Sequence, residues 1–103
     1  MSTEQPNEAS LRAKLKSEVM PASWPDLLYQ FARGALFLVA PQADLLDVAE
    51  AIARDDKQAV ELLLKSAALR RATDDDARML QAAPETRLQF VVVQPWVVAQ
   101  LLG

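Results

Sequence analysis

Apolar residues recur at helical spacing in three stretches of the chain, and start and stop signals predict two further helices. In the first stretch, Leu11, Leu15 and Val19 follow one another at intervals of four, with charged residues between them. Such spacing places the apolar side chains on one side of a helix. Residues that commonly cap helices mark the beginnings of the other four. The predicted helices start at Ser10, Ser23, Asp44, Asp55 and Thr73.

Short apolar runs between these helices break the helical period and predict strands. Residues 35–39 form an unbroken apolar run, which is typical of a central strand covered on both faces. Residues 87–94 are rich in β-branched side chains, and Pro95 then ends or bends the strand because it has no N–H to give to a ladder. Residues 69–73 are a weaker strand candidate, and residues 96–100 continue the apolar pattern beyond the bend.

The order of these elements predicts the fold class. Helices that lie between strands favour parallel pairing through right-handed crossovers. We therefore expect an α/β or α+β fold, in which a small single-layer sheet of about three to four strands, mixed or largely parallel, packs with about five helices. A chain of 103 residues suits one hydrophobic core, so residues 10–103 are predicted to form a single globular domain. Residues 1–9 are polar and acidic and predict a disordered tail.

Composition narrows the classes of function. Hydrophobic residues make up 51% of the chain and charged residues 24%, as in ordinary folded, soluble domains. Cysteine and histidine are both absent, which removes thiol nucleophiles, thiolate metal sites and the commonest general base. An enzyme is therefore disfavoured, and we predict no catalytic, cofactor-binding or metal-binding residues. A carboxylate enzyme built on Asp44, Asp47 or Asp74 has no supporting pattern.

Charge and hydropathy bear on partners and location. The net charge of −3 gives no positive field for a phosphate backbone, so nucleic-acid binding is disfavoured. Residues 88–102 are apolar but are interrupted by glutamines and a proline. They fall short of the roughly 20 apolar residues that a membrane span needs. No membrane association is predicted, and the absence of cysteine together with the lack of a secretory signal pattern predicts a cytoplasmic location.

The acidic triplet of Asp74, Asp75 and Asp76 has two interpretations. Carboxylate oxygens are the ligands that Mg²⁺ and Ca²⁺ prefer, but the alternating spacing and the glycine of a calcium loop are missing. The triplet directly follows Thr73, and negative charge is favoured in the first turn of a helix. The helix-capping interpretation is therefore preferred.

The turn around Pro41 and Asp44 joins a predicted strand to a helix. Open α/β sheets commonly bind ligands at such turns. This turn has no glycine that would let a phosphate approach, and Asp44 is expected to occupy the free N–H groups of the helix. A small-molecule-binding regulatory domain with a pocket at this turn is the alternative hypothesis.

The segment covering residues 90–101 carries more apolar surface than a small sheet easily covers. Such an excess on a terminal strand either packs beneath helices or pairs with another chain. We therefore predict a non-enzymatic interaction or structural protein that self-associates, as a homodimer, through this segment. The predicted interface residues are Phe90, Val92, Gln94, Pro95, Trp96 and Val98.

Three stretches carry a resemblance to a known family. They read FARGALFLVAPQADLLDVAEAIARDD, LRRATDDDA and FVVVQPWVVAQ, in this order. They resemble the small bacterial proteins grouped as domain of unknown function 2288, and the similarity covers about residues 11–100. The resemblance implies a stand-alone, single-domain, cytoplasmic bacterial protein. It implies no activity, cofactor or catalytic residue.

Overall fold

The computed structural model describes residues 8–102, which form five helices and five strands. The predicted tail, residues 1–9, lies outside the described residues except for the last two, which begin the first helix. In chain order the elements are α1 (Glu8–Glu18), β1 (Met20–Ala22), α2 (Trp24–Ala32), β2 (Leu36–Val39), α3 (Leu45–Ala53), α4 (Lys57–Lys65), β3 (Leu69–Arg71), α5 (Asp74–Ala82), β4 (Leu88–Val93) and β5 (Trp96–Leu101).

The five strands form one mixed sheet in the order β1-β4-β5-β2-β3. The central pair, β5 and β2, is parallel, with Phe37 opposite Val98. The other three pairs are antiparallel. The predicted class, the mixed sheet and the number of helices are confirmed, and the sheet has one strand more than the largest number predicted. The extra strand is β1, whose three residues include Pro21.

The sheet is covered on both faces, and each face has its own apolar core. One face, which we call the α3 face, is covered by α1, α3 and α4. The inward side chains of these helices meet Val39, Val91 and Val98. The α2 face is packed against α2 and α5, which cover Leu36, Leu38 and Val97. Side chains alternate between these faces along each strand because the strand period is two. Burying a whole apolar side chain contributes about 1.5–3 kcal/mol, so these two layers supply most of the stabilisation.

Polar caps set the helix boundaries. Asp44 begins α3, where its carboxylate accepts hydrogen bonds from Leu46 N at 2.8 Å and Asp47 N at 3.3 Å. Thr73 begins α5 in the same way, with its hydroxyl accepting from Asp76 N at 3.2 Å. Both caps were predicted from sequence and are confirmed.

The predicted cap of α4 was wrong by one residue. Asp56 caps this helix, with its carboxylate accepting from Ala59 N at 3.1 Å. Asp55 instead follows α3 in a left-handed conformation with a φ of 56°. Gly34 has the same kind of conformation after α2, with a φ of 74°, as its predicted role as a helix stop requires.

Candidate functional site

The C-terminal hairpin contains all six residues of the predicted interface. Strands β4 and β5 are joined by the two-residue turn Gln94-Pro95, whose peptide bond is cis. Pro95 therefore marks a complete reversal of the chain, where the sequence predicted an end or a bend. Val93 and Trp96 lie opposite each other as the last pair before the turn.

The hairpin separates the six predicted residues into three environments. Gln94 and Pro95 are exposed at the turn. Phe90 and Val92 point to the α2 face, where Val92 keeps 41% of its surface exposed. Trp96 points to the α3 face and is partly buried.

Val98, the sixth predicted residue, is completely buried in the core of the α3 face. It is available to support an interface from beneath but not to contact a partner. The interface role of this segment stays a prediction.

The outer side of β4 is paired with β1 along only part of its length. Strand β1 pairs with residues 88–90 of β4, and its register places Met20 opposite Phe90. Within the described chain, residues 91–93 have no strand beside them on that side, so their outward N–H and C=O groups form an open edge. Met20 adjoins this edge with 54% of its surface exposed. Sequence reasoning missed Met20, because a three-residue strand containing a proline gives no periodic signal.

The turn at Pro41 and Asp44 is held from below by a buried glutamine. The Gln100 amide donates to Ala40 O at 2.9 Å and to Ala43 O at 2.7 Å. Its own oxygen accepts from Gln89 Nε2 at 3.1 Å. The carbonyl groups of Ala40 and Ala43 therefore already accept hydrogen bonds from within the chain.

Arg12 closes the same turn from the side of α1. Its guanidinium donates to Asp47 at 2.8 Å, to Glu50 at 2.7 Å and to Asp44 at 3.2 Å. These bonds to Asp47 and Glu50, together with the nearby charge of Asp44, raise the pKa of Arg12 above its ordinary value. A shallow cavity of about 550 Å³ does lie beside the turn, as the alternative hypothesis requires, and it is lined by Lys16, Val19, Asp44, Leu45, Leu46, Gln89 and Gln100.

The acidic triplet has a structural role in the described chain. The Asp76 carboxylate accepts a bidentate pair of bonds from Arg70, at 2.6 and 2.8 Å. It also accepts from the backbone N–H of Thr73 at 2.8 Å, which completes a capping box. The bonds from Arg70, followed by those from Thr73, lower the pKa of Asp76 from 3.8 to about 2. The helix-capping interpretation is confirmed.

A mostly apolar groove lies between α4 and the sheet, and the sequence did not predict it. We call it the α4 groove. Its volume is about 390 Å³, and it is lined by Phe37, Ile52, Asp55, Lys57, Val60, Glu61, Leu64, Leu69 and Trp96. No sequence signal finds it, because Phe37 and Trp96 are distant along the chain from residues 52–69, which supply the rest of the lining.

Between residues 8 and 102, no three His, Cys, Asp or Glu side chains cluster in a way that would hold a metal ion. In the same part of the chain, no helix has the length and apolar character needed to cross a bilayer.

Comparison with known proteins gives one family and one solved structure. The chain matches a solution structure determined by NMR, that of PA1075 from Pseudomonas aeruginosa, with 38% sequence identity and a TM-score of 0.79. The alignment covers 100% of this chain and 94% of that one. No curated protein matches the chain. The model of the family described as protein of unknown function DUF2288 matches residues 10–101. The chain therefore belongs to the DUF2288 family, as the resemblance of its three sequence stretches predicted.

Proposed function

We propose that this protein is a non-enzymatic interaction protein that forms a homodimer by pairing the open edge of β4 with the same edge of a second copy. The observation that carries the proposal is the outer side of residues 91–93, beside which the described chain places no strand, together with the exposed side chain of Val92. An exposed strand edge is a template for pairing with another chain.

The two edges of the sheet differ in a way that supports this assignment. Strand β3, at the other edge, is three residues long and carries the exposed arginines Arg70 and Arg71. Positive charge on an edge strand discourages edge-to-edge pairing. The free part of β4 carries three valines and no charge. Pairing at β4 is therefore favoured over pairing at β3.

The geometry also suits a two-fold axis. In an antiparallel pair about such an axis, Val92 of one copy lies near Val92 of the other, and the same surface is used twice. Met20 and Phe90 flank this position on the α2 face and extend the apolar contact. Three paired residues with a few side chains make a small interface, so the dimer is expected to dissociate on dilution.

The alternative, a regulatory domain that binds a small molecule at Pro41 and Asp44, is supported less. The cavity beside the turn exists. However, Asp44 is engaged by helix N–H groups and by Arg12, and Gln100 is engaged by the turn carbonyls. A ligand there competes with bonds that the chain already makes.

Sedimentation velocity over a concentration series tests the dimer. We expect the mass to rise from monomer to dimer with concentration, and Val92→Glu to stay monomeric while keeping its circular dichroism spectrum. Two facing carboxylates destabilise an antiparallel strand pair. The matched control is Leu62→Glu on α4, which also adds a carboxylate at an exposed apolar position, where the residue is 67% exposed. This control should dimerise like the unchanged protein.

Two results contradict the proposal. One is a monomer at every concentration up to about 1 mM, which places any association above the millimolar range of Kd. The other is a dimer that survives Val92→Glu, which moves the interface away from β4.

A further inference from the structure

The α4 groove combines an aromatic corner with an apolar wall. Phe37 and Trp96 lie with their ring centroids 5.5 Å apart and their planes at 86°. Arg71 stacks over the Phe37 ring, 5.3 Å from its centroid. Val60 and Leu64 of α4 face this corner across the groove. The groove therefore offers flat and aliphatic surface to an apolar group of modest size.

Charged side chains of both signs line the same groove. Asp55 and Glu61 supply two carboxylates, and Lys57 supplies an ammonium group. None of these three side chains makes an ion pair with another residue of the described chain. In contrast, Arg12 and Arg70 both have their carboxylate partners. Opposite charges that form no ion pair among residues 8–102 are available to a ligand that carries both.

We propose that the α4 groove binds a small zwitterion with a large apolar side chain, the chemistry of an aromatic or branched-chain α-amino acid. The apolar side chain lies against Phe37 and Trp96, the ligand ammonium group meets Asp55 or Glu61, and the ligand carboxylate meets Lys57. A volume of about 390 Å³ accommodates a molecule of this size.

This site is independent of the proposed dimer. Trp96 and Val92 are on opposite faces of the sheet, since Trp96 packs with Phe37 on the α3 face and Val92 follows Phe90 on the α2 face. The groove also lies beside β3, at the far edge from β1. Failure of one proposal therefore leaves the other untouched.

Binding is measured by calorimetry or ligand-observed NMR on the full chain, with L-phenylalanine and L-leucine as probes. Two analogues of phenylalanine each remove one charge: 2-phenylethylamine lacks the carboxylate, and 3-phenylpropanoate lacks the ammonium group. We expect at least one amino acid to bind saturably and each analogue of phenylalanine to bind weaker than phenylalanine by about tenfold, because a charge in the groove then loses its partner.

Substitutions separate recognition of charge from a structural effect. Lys57→Ala should weaken binding of the amino acid and of 3-phenylpropanoate by about tenfold and leave 2-phenylethylamine unchanged. Lys65→Ala is the matched control, since this lysine is also exposed on α4 and does not line the groove. It should bind every probe like the unchanged protein. Trp96→Ala should weaken all probes together.

Three results overturn the proposal. The first is that neither amino acid shows saturable binding up to about 10 mM. The second is that both single-charge analogues bind as tightly as phenylalanine, which makes the groove a purely apolar site. The third is that Lys57→Ala leaves the binding of 3-phenylpropanoate unchanged, which places the ligand elsewhere.

Discussion

Helices α3 and α4 are neighbours of equal length, but α3 is buried more deeply in the core than α4. Each has nine residues and an aspartate cap, Asp44 for α3 and Asp56 for α4. Leu45, Val48 and Ala49 of α3 are buried. Every side chain of α4, all nine of which are described, remains at least partly exposed. Equal periodicity and equal capping therefore specify helices, but they do not specify burial.

The sheet beneath the two helices explains the difference. Helix α3 lies over the central strands and packs against α1, β4 and β5. Arg12 also ties it to α1 through three carboxylates. Helix α4 lies at the edge, where it packs on α3 and on β3, which is three residues long. A short edge strand supplies little apolar surface, so α4 stands partly away from the sheet and leaves the α4 groove open.

Truncating one leucine on each helix provides the strongest test of this comparison. Leu45→Ala, at a position 4% exposed, should lower the free energy of unfolding by about 2–4 kcal/mol, because it leaves a cavity in the core. Leu62→Ala, at a position 67% exposed, should change it by less than about 0.5 kcal/mol. Urea denaturation measures both. Equal losses would show that α4 is as deeply packed as α3.

Helix α5 also has nine residues, and one buried carboxylate, that of Asp76, anchors it. Asp76 is 5% exposed and has a pKa lowered to about 2, below the value of 3.8 expected when unfolded. Its contribution is therefore complete above about pH 4 and is lost as pH falls through about 2. That contribution is about 1–2 kcal/mol after allowance for the half-exposed Arg70 partner.

The pH dependence of unfolding in Asp76→Asn measures this anchor. The variant should be less stable at neutral pH and should lose less stability than the unchanged protein between about pH 4 and pH 2. Asp75→Asn is the control, because Asp75 is exposed and pairs only locally with Arg78. If Asp76→Asn lost as much stability as the unchanged protein between about pH 4 and pH 2, that result would contradict the anchoring role of Asp76.

The smallest expected effect concerns the end of α4. Ala67 follows this helix in a left-handed conformation with a φ of 63°. This conformation is strained for an L-residue with a β-carbon and is not strained for glycine. Ala67→Gly should therefore raise the free energy of unfolding by up to about 1 kcal/mol, offset in part by the greater freedom of glycine in the unfolded chain.

Ala68→Gly is the matched control for this substitution. Ala68 is the adjacent alanine and does not have a positive φ. The control should lower stability by about 0.5–1 kcal/mol, since it gains freedom in the unfolded chain without relieving strain. Thermal or urea unfolding of the pair gives the sign of each change. Destabilisation by both substitutions would contradict the proposed strain at Ala67.

Local patterns predicted most of the secondary structure. Asp44, Thr73 and Gly34 each act through bonds or dihedral angles within a few residues, and each was placed correctly. Asp55 was misassigned because two adjacent aspartates are equally good caps by composition, and the end of α3 decides which of them is used. Strand β1 was missed because three residues are too few to show a period.

The arrangement of the surface required contacts that lie far apart in sequence. Val92 and Val98 look alike in the sequence, and the reversal at Gln94-Pro95 leaves one exposed and the other in the core. The α4 groove depends on the parallel pairing of β2 with β5 and on the shortness of β3. The periodicity of the sequence indicates neither the pairing of β2 with β5 nor the length of β3. The groove was therefore not predictable from the sequence alone.

The position of β5 has a consequence for synthesis on the ribosome. Strand β5 follows the other four in chain order, yet it is the middle strand and is the sole link between the β1-β4 and β2-β3 halves of the sheet described here. Until residues 96–101 have emerged, the nascent chain has two incomplete half-sheets with apolar inner edges. Such intermediates are prone to aggregate, so a message truncated shortly before codon 96 should yield an insoluble product, even though all five helices described here are already encoded.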